Sequence, residues 1–347
     1  MIEEIKRSIE NNAKELIRRG IVKVDNVTQL LLVINASVDE GYSKFVPQLL
    51  SLVADDNVES VTSAASVFDV ITEMTLRNRT TNTLAAFTIV RNEPVFLDMW
   101  CSYYSKHVSE ENLYVLDNNT TDDSIKNTTK RWPKIHVVNI QNRDAFDYTW
   151  MTNTVKTFQR ALLRAYEAVI FSDSDEFLMP ILGDLRQYCD DFLKSERQYV
   201  RAEGWGVVHQ IDSEPEIDLN RPLSNRNSMF RAPMYDKTLI SKVPLEWARG
   251  FHTIYRDGKK LNEDPVDETL CVLHVRDIDL NTFHQRCINR SKMQAVPGGS
   301  FHGAEASIEQ IKAYFRTLET SWTATPTREY LDEKRRVPES WKNQLTK

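Results

Sequence analysis

The sequence predicts an α/β fold, a mostly parallel sheet flanked by helices, with a helical appendage on its N-terminal side. Three observations lead there. From residue 83 onward, four short apolar runs rich in β-formers recur: TLAAFTIV, NLYVLD, KIHVVNI and EAVIFSD. Their starts lie about 20 to 35 residues apart, room for one helix each, which is the spacing of right-handed βαβ units. The segments between them are helical in pattern. PVFLDMWCSYYSKH sets Pro94 at a helix start with Leu97, Trp100, Cys101 and Tyr104 on one face, and FQRALLRAYEA precedes the fourth run. Before residue 80, apolar residues recur at helical spacing instead.

That N-terminal stretch begins with Ile2, Ile5, Ile9 and Leu16 and continues through VTQLLLVINASV, FVPQLLSLVAD and VFDVITEM. These read as short packed helices, and without a strongly basic face they cover their own core rather than a membrane surface. The expected organisation is therefore a helical appendage over 1–80, a main domain over 81–300 with halves at 83–180 and 181–300, and a helical tail over 301–347.

Composition narrows the function. The 347 residues are 41% hydrophobic and 27% charged with 10 Gly and 12 Pro, which fits a globular chain and neither disorder nor a fibrous repeat. Net charge is 44 − 50 = −6, and the basic residues are scattered rather than striped, so no nucleic-acid partner is expected. Four widely spaced cysteines without a CxxC pair argue against a zinc site and a disulfide framework, and for buried thiols in a reducing compartment. The opening MIEEIKRSIENNAKELIRRG lacks the apolar core of a signal peptide, and the run LLLVI is too short to span a bilayer. A cytoplasmic location is expected, with no transmembrane segment; peripheral membrane association and oligomeric state stay open.

In an open parallel sheet, ligands bind at the carboxyl ends of the strands. The residues there are polar and acidic: Arg91, Asn92 and Glu93 after the first run, Asp117, Asn118 and Asn119 with Asp122 and Asp123 after the second, and Asp173, Asp175 and Glu176 after the fourth. In AVIFSDSDEFLMP, an extended backbone would point Asp173 and Asp175 to one side and Ser174 to the other. Two carboxylates held that close require a cation between them, and a hard ion such as Mg²⁺ or Mn²⁺ takes oxygen ligands and keeps positions for substrate phosphates. The alternative is that the acids cap a following helix, although a cap needs only one.

Together, AFTIVRNE, LYVLDNNTTDDS, VIFSDSDEFLMP, KTLISKVPLEWARGFHTI and LCVLHVRD resemble the nucleotide-sugar glycosyltransferases of the GT-A fold, a Rossmann-like architecture. The resemblance is to the family 2-like branch with an FxDxDEF strand, and it covers residues 83 to about 290. It implies transfer of a sugar, hexosyl in type and with inversion, from a UDP or GDP donor to a hydroxyl of a carbohydrate acceptor in glycan biosynthesis. It further implies that Asp117 and the turn from Arg91 to Glu93 meet the donor nucleotide, and that Asp173 and Asp175 hold Mn²⁺ or Mg²⁺ on its diphosphate; Ser174 between these acids and Lys237, a phosphate candidate, complete the expected donor contacts. Many relatives complete the metal shell with a histidine from the C-terminal half; here His252 in GFHTI is the first candidate and His274 in VLHVR the second. The second-strand turn departs from the family, reading DNNTTDDS rather than the glycine-containing DDGSxD.

Such a transfer needs stabilisation of the departing diphosphate and a base for the acceptor hydroxyl. Asp236 and Glu246 are the candidate bases, Glu246 favoured by the aromatic Trp247 beside it. Lys242 and Arg249 are further phosphate candidates, and Trp205 and Trp247 are sugar platforms unless they serve core packing. Two rival readings stand: a phosphotransferase of the haloacid dehalogenase type, whose second Asp is followed within two residues by Thr or Val rather than by Glu176 and Phe177, and a non-catalytic nucleotide- or carbohydrate-binding protein. Asn118 and Asn119 both begin N-x-T sequons beside Asp117, where a glycan would obstruct a donor, in keeping with the cytoplasmic expectation.

Overall fold

The structure is a computed structural model that describes residues 83–140, 145–256, 259–261, 265–292, 294–295, 306–324 and 334–345. The helical appendage expected over 1–80 lies outside the described residues. The chain runs β1 (Leu84–Val90), α1 (Phe96–Val108), β2 (Leu113–Asn118), α2 (Ser124–Arg131), β3 (His136–Ile140), β4 (Ala145–Phe146), α3 (Tyr148–Leu162) and β5 (Ala168–Phe171). It continues with β6 (Glu176–Pro180), α4 (Leu185–Lys194), β7 (Tyr199–Val207), β8 (Ser228–Arg231), β9 (Lys237–Ser241), β10 (Glu246–Trp247), β11 (Ile254–Arg256), β12 (Lys259–Lys260) and β13 (Asp267–His274). After these come α5 (Leu280–Ser291), β14 (Gln294–Ala295), α6 (Ile308–Ala324) and β15 (Lys334–Arg336). The expected α/β class holds, and the four apolar runs are β1, β2, β3 and β5.

The main sheet has the order β15-β8-β7-β9-β5-β1-β2-β3, with β13 and β6 attached through β7. Strands β3, β2, β1 and β5 are parallel, with Thr88 opposite Val115 and Ala86 opposite Ile170. All seven residues of β1 are buried, as a parallel strand covered on both faces requires. Alternation sorts them: Leu84, Ala86 and Val90 face one core with α1, whereas Ala85, Phe87 and Ile89 face the other with Val155, Phe158 and Leu162 of α3. From β1 the chain moves outward to β2 and β3, then returns through α3 to place β5 on the other side of β1. This reversal opens a crevice at the carboxyl ends of β1 and β5.

The second half differs in texture. Strand β9 is antiparallel to both β5 and β7, β8 is antiparallel to β7, and β13 runs parallel to β7 but antiparallel to β6. The tail expected to be helical contributes α6 and then a strand, since β15 pairs antiparallel with β8. Beyond it, buried Trp341 donates its indole N–H to the Pro180 carbonyl at 3.0 Å, which ties this segment to the main core. All four cysteines are buried and free. Among the described residues, no helix is long and apolar enough to cross a membrane.

Candidate functional site

The crevice is built from turns that follow β1, β2 and β5. After β1, Asn92 takes a left-handed backbone (φ 54°), which asparagine tolerates better than most residues. Its side-chain oxygen accepts the backbone N–H groups of Thr121 at 2.8 Å and Asp122 at 3.3 Å, binding the first strand's turn to the second's. Asp117, at the end of β2, accepts the Thr120 N–H at 2.9 Å, so one of its oxygens shapes the loop. The departure from a glycine-containing turn is met by Asn119, itself left-handed at φ 57°.

After β5 the backbone turns. The Glu176 N–H bonds the Asp173 carbonyl at 3.0 Å, and β6 begins at Glu176. The expectation of an extended Asp173–Asp175 segment is therefore corrected, because the two-residue periodicity that would align these side chains applies only to extended backbone. The helix-capping alternative also falls, since a strand follows the acids.

The two aspartates find separate cationic partners. Lys237, the first residue of β9, lies with its ammonium 3.1 Å from Asp173 Oδ2 and 2.5 Å from Glu176 Oε1. Arg286 of α5 reaches Asp175 Oδ2 at 2.6 Å and Glu93 Oε1 at 2.8 Å, with its guanidinium 4.6 Å from the centre of the Phe96 ring. Helix α5 is set in place by Asp279, whose carboxylate accepts the Thr282 N–H at 2.9 Å as an N-cap. His274 ends β13 opposite Glu176, with Nε2 3.7 Å from its carboxylate and its ring stacked 4.5 Å from Tyr235. Tyr235 also receives Arg276 Nη2 at 3.2 Å.

Burial and charge compete in this cluster. Burial acts to raise the Asp175 carboxyl, but the Arg286 guanidinium beside it outweighs this and holds the group well below the usual carboxylate range. Burial acts to raise the Glu176 carboxyl, and the Lys237 ammonium pulls it back down. Lys237 is itself raised, since Glu176 and Asp173 more than offset its desolvation. Glu93 is raised by burial despite Arg286, and His274 is driven well below the ordinary histidine value by burial.

Several expected residues stand elsewhere. His252 is exposed, its ring centre 6.4 Å from Tyr235, so of the two histidines it is His274 that meets the acids. Asp236 is buried in a structural network with Arg231 at 2.6 Å, Arg201 at 3.2 Å and the Gly204 N–H at 2.9 Å. Glu246 is drawn to Lys156 at 3.2 Å and to Arg160, both on α3. Each of these carboxylates is thus held by two basic side chains. Ser174 is buried within the turn. Trp205 and Trp247 are core residues, with indole N–H groups on Glu203 and the Thr238 carbonyl. Lys242 bonds the carbonyls of Leu193 and Ser195, and Arg249 lies over Tyr148.

The donor set does not fit a divalent ion. Asp173 and Asp175 turn to different cations, His252 is not with them, and among the described residues no three of His, Cys, Asp and Glu gather to hold a metal. Arg286, Arg290, Arg276 and Tyr235 were not visible as site residues in the sequence. The i, i+4 spacing of Arg286 and Arg290 on one helix face is the only local signal they carry.

No known family profile matches the chain, and no curated protein does. Solved structures give partial overlaps. One is glucosyl-3-phosphoglycerate synthase from Mycobacterium tuberculosis with Mg²⁺ and UDP, at 19% identity over 39% of this chain and 47% of that one, TM-score 0.27. The chain thus spans about half the length of that protein. Another is S. aureus TarS 1-349 with UDP, at 11% identity over 71% of this chain and 76% of that one, TM-score 0.30. A third is the bifunctional glycosyltransferase WbbM, at 16% identity over 40% and 25%, TM-score 0.25. At these scores the likeness assigns no activity to this chain.

Proposed function

We propose that the chain transfers a glycosyl group from a nucleoside-diphosphate sugar to an acceptor hydroxyl. The observation that supports this is the convergence of Glu93, Asp173 and Asp175 at the strand ends where the sheet order reverses, with Lys237 and Arg286 brought in from later elements and Asp117 at the end of the adjacent β2. The motif series from AFTIVRNE to LCVLHVRD adds the resemblance to nucleotide-sugar enzymes.

In this reading, residues 83–180 form the donor half, with Arg91 and Asp117 toward the nucleoside, and residues 181–300 form the acceptor half. The bond from the anomeric carbon to the diphosphate breaks, the acceptor oxygen bonds that carbon, and the hydroxyl proton passes to a carboxylate. Asp173 suits that last role best. Its side chain is 32% exposed, whereas those of Asp175 and Glu176 are 8% and 1% exposed, so it is the acid of this turn that a substrate can reach. Attack opposite the leaving group gives inversion, hexosyl donors of the UDP or GDP type are the substrates this motif series favours, and a carbohydrate is the favoured acceptor. The sequons at Asn118 and Asn119, beside the proposed donor site, favour a cytoplasmic location.

A screen of UDP- and GDP-sugars for release of the nucleoside diphosphate, with and without carbohydrate acceptors, tests the reading. Turnover of one donor that Asp173→Asn abolishes supports it. No turnover and no nucleotide binding across the panel defeats it.

A further inference from the structure

The acids after β5 need a cation between them, and the chain itself supplies one. We infer that Lys237 occupies the position a divalent metal would otherwise take, and that a nucleoside diphosphate binds here without metal. The second clause rests on the donor reading above; the first does not.

Four carboxylates and two cations interleave at this point: Lys237 between Asp173 and Glu176, Arg286 between Asp175 and Glu93. Neither cation is a mobile surface group. The Lys237 side chain is 2% exposed, and its backbone pairs with Ala202 where β9 joins β7. For a metal to reach Asp173 and its neighbours, the ammonium would have to withdraw from Glu176, which is 1% exposed and already has its second oxygen buried without a hydrogen-bond partner. Leaving a buried charge unpaired is among the most costly changes a core can suffer. Arg286 is held as firmly, by two carboxylates and the face of Phe96.

Positive charge for the phosphates is present beyond these pairs. Arg290 follows Arg286 by one turn on α5 and is partly exposed. Burial first, and the neighbouring Arg286 second, disfavour its charged form, while Glu93 and Asp175 favour it. Guanidinium groups match phosphate oxygens in geometry as well as charge.

The test titrates Mn²⁺ alone into the full chain and follows the free ion by electron paramagnetic resonance. Wild-type protein is expected to take up none in stoichiometric amount, and Lys237→Ala to take up about one equivalent where the ammonium stood. In parallel, UDP and GDP are expected to raise the wild-type melting temperature as much in EDTA as in Mn²⁺. Stoichiometric Mn²⁺ uptake by wild type that Asp173→Asn removes overturns the inference. So does a nucleotide shift that appears only with Mn²⁺, or a folded Lys237→Ala that takes up no ion. Should Lys237→Ala fail to fold, the wild-type arms decide alone. If neither nucleotide shifts the melting temperature in any condition, the donor reading fails while Mn²⁺ uptake still decides the place of Lys237.

Discussion

Arg286 and Asp175, 111 residues apart in sequence, meet at 2.6 Å and join helix α5 to the turn after β5. The same guanidinium holds Glu93, so one side chain neutralises acids from two strand ends. Arg286→Met is expected to strand both carboxylates and cost about 3 to 5 kcal/mol. Arg286→Lys keeps the charge but not the two-armed geometry and should lose less. Urea denaturation of the two variants checks the order, and equal midpoints would contradict it.

Gly204 lies where a side chain has no room. A Cβ there would come within 2.3 Å of the Tyr235 backbone and 2.7 Å of the Ala232 carbonyl. Gly204→Ala should destabilise by about 1 to 3 kcal/mol, because backbone rather than a flexible side-chain end must shift. A variant with the wild-type melting temperature would show that the approach is looser.

Asp236 offers a contrast between a base and a buttress. With Arg231, Arg201 and the Gly204 N–H on its carboxylate, Asp236→Asn leaves buried guanidinium charge without its counterion. The expected loss is about 3 kcal/mol, read from chemical denaturation of substrate-free protein. Glu246→Gln, whose own side chain is 40% exposed, should cost no more than about 1 kcal/mol. Similar small losses for both would remove the structural role given to Asp236.

A pH dependence is expected at Asp267, which receives hydrogen bonds from Thr269, Tyr188 at 2.7 Å and Arg197 at 2.6 Å. Burial acts to raise this carboxyl, but the bonds from Thr269, Tyr188 and Arg197 outweigh it and lower it to about 2. A carboxyl lowered by folding stabilises the native state above its unfolded value near 4, and that contribution disappears as pH falls toward the folded value. The melting-temperature gap between wild type and Asp267→Asn should therefore be steady above about pH 5 and close between about pH 4 and 2. A gap that persists unchanged at about pH 2 would refute the assignment.

The strands were legible because parallel strands bury both faces, so β1, β2, β3 and β5 are short unbroken apolar runs in any reading. The acids at their ends were legible for the same reason, as charge placed where apolar pattern stops. The partners of those acids were not. Lys237 comes to Glu176 from 61 residues away and Arg286 to Glu93 from 193, distances over which spacing carries no message. The alignment of Asp173 with Asp175 was misread because an apolar run does not announce where extended backbone ends. The partners of the candidate bases Asp236 and Glu246 were hidden too, because the arginines and lysine that hold them lie on other elements.

Strand β15 pairs with β8 at the open margin of the sheet, and Trp341 fastens the same segment to Pro180. During synthesis, β8 emerges from the ribosome about a hundred residues before its partner does, and until then its outer row of N–H and C=O groups can recruit any passing strand. The order of translation thus sets a window of vulnerability, and a chain truncated before residue 334 never leaves it.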